Sequence, residues 1–165
     1  YTLNMNTKIS SLAFTLGEQL AKRHRRVTTA ESCTGGGVAS AMTEVAGSSG
    51  WFEVGYVTYS NRHKHEVLGV AKATLAEHGA VSEAVVLAMV DGALQASGAD
   101  YGIAISGIAG PSGGSVEKPV GTVWFAWQGP LGSDAACRHF DGDRRSVREQ
   151  AVEYSLQQLL HLASE

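Results

Sequence analysis

The chain has 165 residues, 44% of them hydrophobic and 18% charged, with a formal net charge of −3. That is enough apolar material for one domain with a substantial core, read here over residues 5–165, and it lacks the basic footprint of a nucleic-acid binder. No apolar run is long enough to span a bilayer and no secretory leader is visible. Cys33 and Cys137 then read as reduced thiols, so the expectation is a cytoplasmic protein with neither nucleic acid nor membrane as partner.

Ile9, Leu12, Ala13, Leu16 and Leu20 recur at helical spacing and predict a first amphipathic helix ending near the basic cluster 22–26. A short apolar run, 27–30, predicts the first strand, and 37–46 a second helix. Residues 51–59 are rich in β-favouring side chains and read as a second strand. Short helices are expected over 61–68 and 71–78, and Ser82-Glu83 opens a longer one. Residues 101–106 are almost wholly apolar, as in a central buried strand.

The stretch 107–118 has no helical period and is crowded with Gly, Pro and Ser. Pro119 leads into a fourth strand, 120–127, which returns antiparallel because no crossover helix intervenes. A turn over 128–134 precedes a fifth strand, 135–140, and Asp143 caps a last helix running to about Leu162. The fold class is α/β: a three-layer α/β/α arrangement with a mixed five-stranded sheet, one strand antiparallel. Four polar segments, at Ser32, 59–64, 107–114 and 142–148, should share the edge where open α/β sheets bind ligands.

Several short patterns carry no function. Gly110-Pro-Ser112-Gly-Gly114 matches G-x-S-x-G, but that motif needs a helix directly behind it. Ser115-Val-Glu-Lys118 needs a helical turn that Pro119 forbids. His63 and His65 diverge on a helix, and no carboxylate set completes a metal site, so no metal and no cofactor are expected.

What remains is a strand, a glycine turn and a helix around Ser32. Unpaired amides at the start of such a helix can hold an anion or an oxyanion. Ser32 reads equally as a helix cap or a nucleophile; Cys33 is a rival nucleophile or a buried small residue. Tyr59 and Lys64 are either a strand end and a solvated lysine, or a phenol and an amine brought over the turn. Arg144, Arg145 and Arg148 are either an exposed basic face or an anion site at a helix N-terminus, where arginine is poorly placed for the dipole.

Ala30-Glu-Ser-Cys-Thr-Gly-Gly36, Ala46-Gly-Ser-Ser49, Val57-Thr-Tyr-Ser-Asn61 with Lys64, and Gly79-Ala-Val-Ser-Glu83 occur in order. They are followed by Ser106-Gly-Ile-Ala-Gly-Pro111, Lys118-Pro-Val-Gly-Thr122, and Gly142-Asp-Arg144 with Arg148. On these motifs, covering about residues 10–160, the chain resembles the CinA C-terminal domain family of nicotinamide-nucleotide amidohydrolases. The resemblance implies hydrolysis of nicotinamide mononucleotide (NMN) to nicotinic acid mononucleotide and ammonia. It makes Ser32 the nucleophile and Tyr59 and Lys64 its activating partners.

Ser106 and Arg144 would hold the nucleotide, with Arg148 a weaker candidate. Longer relatives carry a further N-terminal domain, and the chain reads as the stand-alone form. The oxyanion would face amides around Cys33, Thr34, Gly35 and Gly36, while Gly107 and Gly110 belong to a loop that cradles ribose or phosphate. A non-catalytic nucleotide-binding module, or an amidohydrolase for another phosphorylated amide, are the alternatives. A homodimer or higher homo-oligomer is expected, with Trp51-Phe52 or 124–127 as either its apolar surface or part of the core.

Overall fold

Five strands form one sheet in the order β2-β1-β3-β4-β5: β1 Val27–Glu31, β2 Phe52–Val57, β3 Tyr101–Gly107, β4 Thr122–Gly129 and β5 Gly132–His139. In this computed structural model, which describes residues 5–165, β1 pairs in parallel with β2 and with β3. The β4 strand runs antiparallel to both β3 and β5, so it alone is reversed, as the missing crossover helix requires. Six helices cover the faces: α1 Met5–Lys22, α2 Gly37–Thr43, α3 Asn61–Leu68, α4 Lys72–His78, α5 Glu83–Ser97 and α6 Arg144–Ala163.

Successive side chains of a strand point to opposite faces, and the two cores divide on that period. Ile103, Ile105, Val123 and Phe125 face α1, α2 and α6, while Ala104 and Ala126 face α5. Ala30, Ala104, Ala126 and Ala135 pair in register across four strands. This row of small side chains lets α5 lie close to the sheet, with Val86, Met89, Val90 and Ala93 fully buried upon it. On the other face Phe125 packs its ring 4.5 Å from that of Tyr154 and edge-on to Phe140, which seats α6. Burying a side chain of that size stabilises by roughly 3 kcal/mol.

Several boundaries differ from the sequence reading. The fourth and fifth strands meet at a tight turn, Pro130-Leu131, so β5 begins three residues early, at Gly132. The polar sequence of its outer half hid an edge strand that is largely exposed. The α2 helix stops at Thr43, and β2 stops at Val57, two residues short of Tyr59. Trp51 is core, packed against Gly17, where a Cβ would sit 2.7 Å from the indole. Trp124 and Trp127 are half-buried against the two cores, so neither tryptophan group forms an exposed apolar surface.

Connections from β1 lead to β2 on one side and, after α3 to α5, to β3 on the other. The strand order therefore reverses between β1 and β3, and the crevice beyond their carboxyl ends is where such sheets take ligands. Ser32 follows β1, Ser106 is the penultimate residue of β3, and the Ser32 amide donates to the Ile105 carbonyl at 2.9 Å.

Candidate active site

Lys64 reaches this crevice because Ser60 starts α3. The Ser60 hydroxyl accepts from the His63 amide, and Lys64 follows on the first turn with its side chain directed inward. Its amine lies 3.0 Å from Ser32 Oγ and 3.0 Å from each of the Thr58 and Tyr59 carbonyl oxygens. Lys64 is 1% exposed. No carboxylate lies within ion-pair distance of it among the described residues. Burial pushes its pKa below the ordinary value of 10.5.

Nζ donates to Ser32 Oγ and to the two carbonyls. Once the amine is neutral, its two N–H groups serve the carbonyls and its lone pair faces the hydroxyl proton of Ser32. The alternative acceptor for that proton, the Tyr59 carbonyl, is 3.5 Å from Oγ, too long for a good hydrogen bond.

Ser32 is not the cap of α2. The buried carboxylate of Glu31 does that work, accepting from the amides of Val38 and Ala39 and from the Thr34 hydroxyl at 2.7–3.1 Å. The expectation that the helix start offers free amides to an anion is thus corrected, since a side chain of the same turn already fills it. The amides of Cys33 and Thr34, just ahead of the helix, have no acceptor among the described residues. Gly35 and Gly36 make the turn possible, with φ of 58° and 98°. Burial pushes the Cys33 thiol up to about 12, which leaves it protonated and inert beside the serine.

A cavity of about 260 Å³ opens over this pair. Ser32, Cys33, Tyr59, Lys64, Ser106 and Arg144 line it, together with the loop residues Gly107, Ile108, Ala109 and Gly110. The four segments expected at one edge do meet there. Arg144 joins two of them, donating to the Gly110 carbonyl at 2.8 Å and to the Tyr59 phenol at 3.0 Å. Only the Tyr59 carbonyl touches Ser32 and Lys64; its phenol, on a 62% exposed side chain, bonds to Arg144 instead.

Thr34, Gly35, Gly36 and Arg148 do not line this cavity. Arg148 lies behind the turn, where it borders a separate groove of about 460 Å³ between α1, α2 and α6. That groove contains no nucleophile paired with a base. Sequence reasoning gives Ala80 and Val81 no place at this edge, and Asn61 and Ser112 one only within the segments 59–64 and 107–114; all four line the cavity. The first two lie in the motif 79–83, whose spacing marked the family without suggesting a role. Ser112 belongs to the dismissed G-x-S-x-G, and β4 rather than a helix follows that loop.

A serine and a buried, carbonyl-held lysine at the switch point of a mixed α/β sheet define an α/β protein with a serine–lysine site. The chain belongs to the CinA C-terminal domain family, whose model matches residues 9–163. It is 56% identical over 155 residues to the nicotinamide-nucleotide amidohydrolase PncC of Escherichia coli (strain K12), covering 93% of this chain and 94% of that protein. With the PncC of Pseudomonas putida it shares 55% over 157 residues, covering 95% and 98%. A crystal structure of a CinA-superfamily protein from Klebsiella pneumoniae superposes with a TM-score of 0.91 at 42% identity, covering 94% of this chain and 98% of that one. A competence/damage inducible protein from Agrobacterium tumefaciens gives 0.91 at 43%, covering 94% and 95%.

Proposed function

We propose that this protein is a nicotinamide-nucleotide amidohydrolase. It hydrolyses NMN to nicotinic acid mononucleotide and ammonia, a step of pyridine-nucleotide salvage. The similarity to the PncC enzymes over nearly the full length of both chains supports the reaction. The observation that carries the mechanism is the 3.0 Å approach of the buried Lys64 amine to Ser32 Oγ.

Lys64, neutral, takes the Ser32 proton as Oγ attacks the carboxamide carbon. The negative charge that develops on the amide oxygen is met by the amide of Cys33, which lines the cavity. Lys64 then gives its proton to the departing nitrogen as the C–N bond breaks, leaving an acyl ester on Ser32 and free ammonia. Water attacks the ester, Lys64 accepts its proton, and that proton returns to Ser32 Oγ as the acid leaves. Ser106, Gly107, Gly110 and Arg144 hold the nucleotide, and the Tyr59 ring walls the cavity. Lys64 acts on Ser32 directly, so the Tyr59 phenol is not needed as a relay.

Ammonia release by wild type, Ser32→Ala and Lys64→Ala, with NMN, nicotinamide riboside and nicotinamide as substrates, tests this. Wild type should prefer NMN, and both variants should lose activity by about 10⁴-fold or more, as when a triad member is removed. Near-normal turnover by Ser32→Ala would falsify the serine mechanism. Binding of NMN with no turnover by wild type would reduce the protein to a nucleotide-binding module.

A further inference from the structure

On the amidohydrolase reading above, we propose that Arg148 is a positioning residue for the reaction: its guanidinium braces the turn after Ser32 so that the nucleophile and the Cys33 amide keep their places at the oxyanion. Arg144 and Arg148 stand one turn apart on α6 but do different things. Arg144 faces the cavity, whereas Arg148 reaches behind the turn and donates through Nε to the Cys33 carbonyl at 3.0 Å and through Nη2 to the Thr34 carbonyl at 3.3 Å.

A trans peptide is planar, and its C=O and N–H point in opposite directions. Drawing the Cys33 carbonyl toward Arg148 therefore turns the Thr34 N–H to the side away from Arg148. The Ser32 carbonyl is itself held by the Gly35 amide at 3.0 Å, which turns the Cys33 N–H outward from the turn. Two successive amides are left without acceptors next to the nucleophile, the kind of nest that binds an anion.

Glu31 fixes the far end of the same turn and occupies the first amides of α2. Arg148 thus braces the turn that presents the Cys33 amide, the free amide whose residue lines the cavity. Only arginine presents two N–H groups in a rigid fork to two consecutive carbonyls; lysine offers a single point. Gly35 admits the fork, since a Cβ there would come 3.1 Å from Nη2.

Arg148→Ala, measured with NMN and with nicotinamide riboside, separates this role from direct phosphate binding. Misplaced oxyanion donors should lower kcat by about 10- to 100-fold on both substrates. The KM for NMN and inhibition by nicotinic acid mononucleotide should stay within a few-fold of wild type, and millimolar guanidinium should restore part of kcat. An unchanged kcat overturns the assignment. So does a loss confined to the phosphorylated substrate, with KM and the product inhibition constant raised together.

If Arg148→Ala does not fold, Arg148→Lys decides by the same readings, because it keeps the charge and loses the fork. Wild type that releases no ammonia from NMN would overturn the amidohydrolase reading and this assignment with it. An active wild type beside an unimpaired Arg148→Ala overturns the assignment alone.

Discussion

Lys64 Nζ sits 3.0 Å from Ser32 Oγ and 3.0 Å from two main-chain carbonyls, with no carboxylate in ion-pair reach among the described residues. Most buried lysines are paired with a carboxylate, which would hold the amine protonated. Here burial is the larger influence on the amine and favours the neutral form, against a smaller opposing one from Cys33. That direction is the one the proposed role of Lys64 as base toward Ser32 requires.

The pH dependence follows from that direction. The amine titrates below 10.5 in the folded protein and near that value in the unfolded chain. The unfolded state thus binds more protons between the two values, and stability rises with pH across that window. Below the folded pKa the protein carries the cost of a buried ammonium. The kcat/KM for NMN should rise with pH through the folded pKa, on a limb below that of a solvated lysine. Urea titrations of wild type and Lys64→Met should show the wild type gaining on the variant across the same range. A flat kcat/KM profile between pH 6 and the ordinary lysine range would contradict the assignment of Lys64 as base.

Tyr59→Phe should be mild. It removes the phenol that accepts from Arg144 and keeps the carbonyl that accepts from Lys64. Steady-state kinetics should show a few-fold effect, mainly in KM. Arg144→Ala, which also releases the Gly110 loop, should raise KM by about 10-fold or more, the scale of a charged hydrogen bond. A drop in kcat of a thousandfold for Tyr59→Phe would restore the phenol as a proton relay.

Cys33 should prove dispensable to chemistry. Its thiol is buried and stays protonated at neutral pH. Treatment with iodoacetamide should leave the folded enzyme active, with Cys137 the site of any labelling. Cys33→Ser should retain activity within about tenfold, a margin that allows for placing a hydroxyl in a well-packed site. Rapid inactivation with adduct on Cys33 would reverse that view.

Glu31→Ala should cost about 3 kcal/mol, because it strands two amides and one hydroxyl that a buried carboxylate now satisfies. Urea unfolding with an unchanged m-value is the measurement. Glu31→Gln keeps one acceptor oxygen and should recover part of the loss.

Much of the fold was legible because strands and helices write their period locally. The run 101–106 reads as a central strand, and β3 is buried throughout except at Gly107. Proline and glycine between β3 and β4 excluded a crossover and so gave the antiparallel strand its direction. The edge strand β5 was shortened in the reading because solvent accepts Ser133 and Asp134 as readily in a strand as in a turn.

At the site, Ser32, Tyr59, Lys64, Ser106 and Arg144 could be found from turn chemistry and family motifs. Glu31 and Arg148 could not be assigned that way. One reaches forward from the end of β1 to the start of α2 and the other reaches across from α6, and neither contact leaves a periodic trace. The difference between Arg144, which lines the cavity, and Arg148, which holds the turn behind it, is one turn of helix, visible only when the two elements are docked.

The confinement of Lys64 has a last consequence. Its basicity is lowered chiefly by dryness, with Cys33 a smaller opposing influence. Anything that lets solvent reach the amine, such as mild heat or low urea, should switch it off while the sheet is still intact. Turnover ought then to fade at lower denaturant than ellipticity, making catalysis the earliest reporter of loosening between α3 and the sheet.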